Sequence, residues 1–287
     1  MIKYIVSSAR LKQWLKNIFI FAGIVFSKHF FEPDALLKIF TAFILFSLAS
    51  SGVYIMNDIF DRTADSFHPK KKFRPIASGK LPLKIAIITL ILLFIASLIP
   101  SYFLYKKFFV LLLSYVLLQF VYSIYLKKLV IVDILVVSLG FVLRVVGGCI
   151  VIDVQISSWL ILCSALLSLF IVLNKRRQEI LLLDENNTRK VLKEYSLPFL
   201  DQMINVISAA TITSYLLYAF SSESSCKFGG HKLGYSVPFV LYGIFRYLYI
   251  TQNKSLGEEP EKIVLTDFPF IINFLIWAIT IFIVVYT

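Results

Sequence analysis

The sequence predicts an all-α membrane protein of nine transmembrane helices, and three observations carry that prediction. Hydrophobic residues fill 59% of the 287 positions and charged residues only 16%, with a mean hydropathy of +0.82, far from the half-apolar, quarter-charged balance of soluble domains. The apolar letters gather into long runs separated by polar connections. Gly (11) and Pro (9) are scarce while Phe (27) and Tyr (15) abound, which favours long helices over a barrel of short alternating strands.

The runs place helices over 10–31, 35–57, 83–102, 107–125, 130–152, 157–174, 203–221, 234–251 and 266–286, each near the ~20 residues a span requires. The first follows a basic start and continues past any small-residue cleavage site into "FSKHFFEPD", so it is a membrane helix rather than a removable signal peptide. The second ends in "NDIFDRTAD" and a basic loop, "HPKKKFRPIASGKLP", precedes the third. The fourth runs into "YSIYLKK", and the fifth holds a lone Arg144 inside "DILVVSLGFVLRVVGGCIV". The sixth leads into the polar, helix-compatible "KRRQEILLLDENNTRKVLKEYS", and the eighth and ninth carry Arg246 and Asp267 near their ends. No repeat and no soluble domain interrupts the chain. The simplest division is one polytopic membrane domain over 1–287, with cap segments near 58–82 and 175–202.

Lys and Arg concentrate in alternate connections: the N-terminal segment, the second–third loop, Lys127 and Lys128, the segment after the sixth helix, and Lys254 and Lys262. Only Lys28, Lys38, Lys106, Lys107, Lys227 and Lys232 fall on the other side. The positive-inside bias puts the N-terminus and the acidic motif in the cytoplasm and, for nine spans, the C-terminus outside. A multi-pass protein of the cell (inner or plasma) membrane is expected. The same bias accounts for most of the net charge of +12, so nucleic acid is not an expected partner. Cys149, Cys163 and Cys226 show no zinc-like spacing and His29, His68 and His231 are scattered, which leaves a His- or Cys-ligated metal unsupported.

The acidic motif carries the chemistry. On a helix turning ~100° per residue, Asn57, Asp58, Asp61 and Asp65 share one arc of about 100°. Carboxylates at a membrane helix are costly and repel each other, so a cation should lie among them. Hard oxygen donors without His or Cys favour Mg²⁺, which keeps waters and shares itself with substrate phosphates. Lys70, Lys71, Lys72 and Arg74 follow within ten residues of Asp65 and can meet phosphate oxygens.

These stretches carry a resemblance. "NDIFDRTAD" resembles the first aspartate-rich motif of the UbiA superfamily of intramembrane prenyltransferases. "QWLKN", "NDIFDRTADSFHPKKKFRPIASG", "YSIYLKKLVIVDI", "LRVVGG", "KRRQE", and "VLYGIFRYLYI" followed by "GEEPEKIVLTDFP" are similar to its decaprenyl-phosphate phosphoribosyltransferase branch. The resemblance implies a nine-helix UbiA-type bundle around a central cavity open to lipid and to the cytoplasmic side. It also implies Mg²⁺ held by the aspartates. One departure stands out: ordinary members have a second motif, D-x-x-x-D, after the sixth helix, where this chain reads "NKRRQE", Asn174 to Glu179. Cations there suit direct phosphate contact better than a second metal.

The branch implies a Mg-dependent transfer of 5-phosphoribosyl from phosphoribosyl pyrophosphate to a polyprenyl phosphate of decaprenyl type, releasing pyrophosphate, in cell-envelope biosynthesis. Asn57, Asp58, Asp61 and Asp65 are the expected metal-diphosphate residues. Lys72 and Arg74, assisted by Lys71, are expected on donor phosphates, and Tyr122 and Lys127 beside them. Lys175, Arg176 and Glu179 are assigned to the 5-phosphate and ribose hydroxyls, and Lys16 and Asn17 to the lipid phosphate. Arg144 either contacts substrate or pairs with an acid on another helix, while Gly147 and Gly148 beside it permit close helix packing. The alternatives are a UbiA-type prenyltransferase moving a prenyl chain from its diphosphate to an aromatic or other small acceptor, and a transporter. Charges clustered at one face argue against the transporter. Prenyl length, the fate of the ribosyl lipid and any homo-oligomer stay open.

Overall fold

The structure is a computed structural model that describes residues 1–68, 71–182, 194–253 and 266–287. Among the described residues there is no strand. Twelve α-helices follow in order: α1 Ile2–Ala9, α2 Ala22–Phe26, α3 Pro33–Phe60, α4 Arg62–Ser66, α5 Leu83–Leu104, α6 Lys106–Ile124, α7 Val132–Val151, α8 Ser158–Leu182, α9 Leu197–Ala219, α10 Ser222–Phe228, α11 Val237–Asn253 and α12 Phe268–Tyr286. Shorter 3₁₀ segments cover Leu11–Phe21, Lys71–Phe73, Leu126–Lys128 and His231–Ser236.

Helical structure occupies all nine expected apolar runs, but not as nine uninterrupted spans. Among the described residues six helices, α3, α5, α6, α7, α8 and α12, are long and apolar enough to cross a membrane, and the pair α9–α10, bent by 52°, makes a seventh if counted as one span. The first expected helix is instead the 3₁₀ segment Leu11–Phe21 followed by the five-residue α2. Arg10, with a left-handed backbone (φ 51°, ψ 55°), ends α1 and separates it from this segment. That conformation costs a non-glycine residue about 1 to 2 kcal/mol.

The chain packs as two compact units. In the first, Met1–Ile24 and His29–Gln155, α3 is central, touching α1, the Leu11–Phe21 segment, α5, α6 and α7. Small residues let α3 sit so deep: Ser47, Ser50, Ser51 and Gly52 are buried along it. Gly148 of α7 packs on the carbonyl of Ile20, where an added Cβ would collide with backbone, and Gly147 lies against Phe108 and Leu111. The expected role of these two glycines is thus seen in the packing. Along α5 the large residues face outward, among them Ile88, Leu92, Ile99 and Phe103, the inverse of a water-soluble helix and the pattern of one that faces lipid.

The loop after α4 is anchored rather than loose. Ile76 and Leu81 are almost fully buried with Ile55 of α3 and Ala86 of α5, each such burial contributing about 1.5 to 3 kcal/mol. The second unit, Val25–Lys28, Ile156–Leu183 and Leu192–Thr287, pairs α8 with α9 and α11 with α12. Its core gathers Tyr215, Tyr218, Phe228, Leu233 and Val285. Lys70, part of the expected cap after α8 (183–193), and residues 254–265, which include the first nine of "GEEPEKIVLTDFP", lie outside the described residues.

Candidate active site

α3 stops at Phe60, one residue short of Asp61, which caps it with φ −90° and ψ 2°. The ladder of bonds continues across the cap, since the backbone N–H of Asp61 donates to the Asn57 carbonyl and that of Asp65 to the Asp61 carbonyl (2.9 and 2.7 Å). The aspartates therefore span the end of α3, its cap and the short α4, and they divide by partner. Asp58 and Asp65 converge on Arg74, whose Nη1 lies 3.1 Å from Asp58 Oδ1 and 2.5 Å from Asp65 Oδ2. Asp61 turns instead to the ammonium of Lys127.

Asp58 has a second guanidinium partner, Arg10, with Nη2 at 2.5 Å from Oδ1. Sequence reading counted Arg10 only as a topogenic charge. Its signal was its place as the last charge before "LKQWLKN", and its left-handed backbone, together with the ring of Tyr54 at 5.2 Å, directs the guanidinium to Asp58. Lys127 is delivered by a similar device. The 3₁₀ turn Leu126–Lys128 is followed by Ile131 with φ 68° and ψ −46°, a strained backbone for a β-branched residue that costs on the order of 1 to 3 kcal/mol. Asp58 is only 2% exposed, and a buried carboxylate is tolerated only when paired and hydrogen-bonded. Two guanidiniums meet that need.

Asn57 is engaged as well. Ser123 Oγ, in the last turn of α6, donates to Asn57 Oδ1 at 2.5 Å, a partner that sequence reading missed although Ser123 lies inside "YSIYLKK". Tyr122 beside it is buried. Lys71 and Lys72 form the 3₁₀ turn after His68, and Lys72 is exposed, with its ammonium 5.3 Å above the ring of Phe73.

Lys16 and Asn17 sit in the Leu11–Phe21 segment, Lys16 half-buried and Asn17 fully buried. Both ends of the Asn17 amide are used: Nδ2 donates to Ser47 Oγ at 2.9 Å, and Oδ1 accepts from Arg144 Nε at 2.6 Å. Arg144 is buried without a carboxylate at hand. Its guanidinium donates to the Gly140 carbonyl, Tyr115 Oη and Ser50 Oγ, and lies 4.8 to 5.5 Å from the rings of Phe46, Tyr115 and Phe141. Neutral oxygens and aromatic faces carry the charge, and among the described residues no acid of another helix is paired with it.

In the second unit the "KRRQE" residues lie on the C-terminal part of α8. Arg176 pairs with Glu179 at 2.5 Å and Arg177 with Asp201 of α9 at 2.5 Å. Lys175 is half-buried beside them. Asn174 and Gln178, four residues apart, are buried and both meet Thr251 of α11: Thr251 Oγ1 donates to Asn174 Oδ1 at 3.2 Å, and the Gln178 amide donates to the Thr251 carbonyl.

Among the described residues no group of three or more His, Cys, Asp or Glu side chains forms a ready-made metal cage. The donor set of the first unit nevertheless fits a hard divalent ion, since it is all oxygen and includes three carboxylates around one helix end. At present those carboxylates are neutralised by protein cations.

A polytopic, all-helical chain whose central helix ends in cation-paired aspartates defines a membrane transferase of the aspartate-rich kind. The chain belongs to the UbiA prenyltransferase family, whose model matches residues 17–274. It is similar to the decaprenyl-phosphate phosphoribosyltransferase of Mycolicibacterium smegmatis, 31% identical over 290 residues that cover 96% of this chain and 91% of the relative. The protein of the same name from Corynebacterium glutamicum is 31% identical over 288 residues, covering 98% and 86%. The fold matches a UbiA homolog from Archaeoglobus fulgidus bound to GPP and Mg²⁺, with a TM-score of 0.75, 17% identity and coverage of 99% and 100%. With full-length transferases as relatives, the chain is an enzyme of that class and a multi-pass membrane protein.

Proposed function

We propose that the protein transfers the 5-phosphoribosyl group from phosphoribosyl pyrophosphate to a polyprenyl phosphate and releases pyrophosphate, in a Mg²⁺-dependent reaction at the cytoplasmic side of the cell membrane. The observation that carries the reading is the near full-length similarity to decaprenyl-phosphate phosphoribosyltransferases, supported by the absence of a second acidic motif on α8, where Asn174 and Gln178 are neutral and the neighbouring charges are largely basic.

The chemistry asks little of the protein beyond placement and charge. A lipid phosphate oxygen attacks the anomeric carbon of ribose, the bond from that carbon to pyrophosphate breaks, and the electron pair leaves with pyrophosphate. Positive charge develops on the ribose ring and negative charge on the leaving group, so preorganised cations at the leaving group lower the barrier. Asp58, Asp61 and Asp65, with Asn57, would hold the divalent ion, which supplies charge neutralisation on the diphosphate. Arg74, Lys71 and Lys72 would take donor phosphates, and Lys127 and Tyr122 the region beside them. Lys175 and the Arg176–Glu179 pair would meet the 5-phosphate and ribose hydroxyls, and Lys16 the lipid phosphate. Asn17 and Arg144 support this site from within the helices.

A second reading, prenyl transfer from a prenyl diphosphate, is favoured by the fold match to the homolog bound to GPP and Mg²⁺. One assay separates the two. Purified protein in detergent with Mg²⁺ should release pyrophosphate from phosphoribosyl pyrophosphate only when a polyprenyl phosphate is present. Release from prenyl diphosphate with an aromatic acceptor, and none from the sugar donor, would overturn the proposal in favour of the second reading.

A further inference from the structure

The three motif carboxylates are already charge-balanced by side chains of the same unit. Arg10 and Arg74 meet Asp58, Arg74 also meets Asp65, and Lys127 meets Asp61, so three anions face three cations. A divalent ion arriving alone would add two positive charges beside three fixed ones in a partly buried place, where repulsion is poorly screened. The same ion arriving with a diphosphate meets no such excess, because the anion more than offsets it.

The cations are also shaped for a transfer of partner. Arg74 uses only Nη1 and Arg10 only Nη2 on the carboxylates, which leaves the other guanidinium N–H groups uncommitted among the described residues. Their side chains are 26% and 28% exposed, so an incoming anion can reach them. Guanidinium matches phosphate oxygens as well as it matches carboxylate.

We propose that Arg10, Arg74 and Lys127 are built-in counter-ions that keep divalent metal off the aspartates until a diphosphate is present, then pass from carboxylate to phosphate. Metal and diphosphate thus load as one unit, each raising the other's affinity by the same factor. The proposal rests on the function inferred above only for the identity of the diphosphate. It gives Arg10 a role in substrate loading beyond its contribution to topology.

The test uses the full-length protein in detergent, Mn²⁺ as a paramagnetic probe and inorganic pyrophosphate. Uptake of Mn²⁺ alone is read from loss of the free Mn²⁺ resonance, and uptake of the preformed Mn-pyrophosphate complex from the manganese retained with the protein in equilibrium dialysis. The wild type should take up the complex at least about tenfold more tightly than Mn²⁺ alone. Arg10→Gln and Arg74→Gln should bind Mn²⁺ alone at least about tenfold more tightly than the wild type and the complex correspondingly more weakly. Lys127→Gln, whose partner Asp61 is the more exposed carboxylate, carries the same expectation should an Arg variant fail to purify as a monodisperse species. Equal binding of Mn²⁺ with and without pyrophosphate in the wild type, or no gain in Mn²⁺ affinity in the glutamine variants, would overturn the proposal. A positive Mn²⁺ result with no turnover of phosphoribosyl pyrophosphate would instead sink the donor assignment and leave the counter-ions standing.

Discussion

Nη1 of Arg74 lies 2.5 Å from Oδ2 of Asp65, and the same nitrogen reaches Oδ1 of Asp58 at 3.1 Å. One side chain of the loop thereby clamps both ends of the aspartate motif. The loop itself is held by the buried Ile76 and Leu81, so removing the clamp should not release it. Arg74→Ala is expected to lower kcat/KM by at least about 100-fold, a scale typical for one charged stabiliser of a developing anion, and to lower the melting temperature in detergent as well, because the buried Asp65 and Asp58 lose a cationic partner. Arg74→Lys keeps the charge but loses the fork and should recover only part of the rate.

Asp61 faces Lys127 rather than Arg74, so its loss leaves the Asp58–Arg74–Asp65 connection in place. Asp61→Ala should abolish turnover with helix content and monodispersity retained. Chelation of divalent ions should stop turnover of the wild type, and added Mg²⁺ should restore it. Full activity of Asp61→Ala, or of the chelated wild type, would remove the metal assignment.

Arg144 binds Asn17, Gly140, Tyr115 and Ser50 through hydrogen bonds. Replacing it with Leu leaves Asn17 Oδ1 and the other acceptors short of a donor, at about 1 to 3 kcal/mol for an unsatisfied buried group. The expected result is a clear drop in melting temperature, with KM for either substrate near the wild-type value in the folded fraction. A raised KM at unchanged melting temperature would mean that Arg144 touches substrate.

Gly148 and Gly147 should respond differently to the same methyl group. At Gly148 the added carbon meets the Ile20 backbone, whereas at Gly147 it meets the Leu111 side chain at 3.2 Å and the Phe108 ring at 3.3 Å. Gly148→Ala should therefore fail to accumulate as folded protein, since backbone cannot yield as a side chain can. Gly147→Ala should fold with a modest loss, read as a lower melting temperature.

Much of this was legible in the letters because hydropathy and charge act locally. The apolar runs located the long helices, though α8 continues to Leu182, past the expected 174, and α9 begins at Leu197, before the expected 203, and "NDIFDRTAD" marked the carboxylates without knowledge of any contact. The first run misled for a physical reason: Arg10 and the 3₁₀ winding of Leu11–Phe21 answer to packing against α3 and α7, which hydropathy does not register. The letters placed Asn57, Asp58, Asp61 and Asp65 together but could not announce that α3 stops at Phe60 and that Asp61 caps it. Arg10 and Ser123 escaped because a lone Arg near a basic terminus and a Ser at a helix end are commonplace; each becomes informative only against Asp58 and Asn57.

The sequence by itself determined that the chain is a helical membrane protein with carboxylates clustered at one helix end, because the hydrophobic effect and the cost of bare charge in lipid depend on composition and order alone, while the transferase class rested on the resemblance of its motifs. Tertiary structure decided which cation meets which carboxylate, that Arg144 is met by neutral oxygens, and that Arg177 of α8 meets Asp201 of α9. Those outcomes depend on distances between segments far apart in the chain, and electrostatic pairing falls off within a few ångströms.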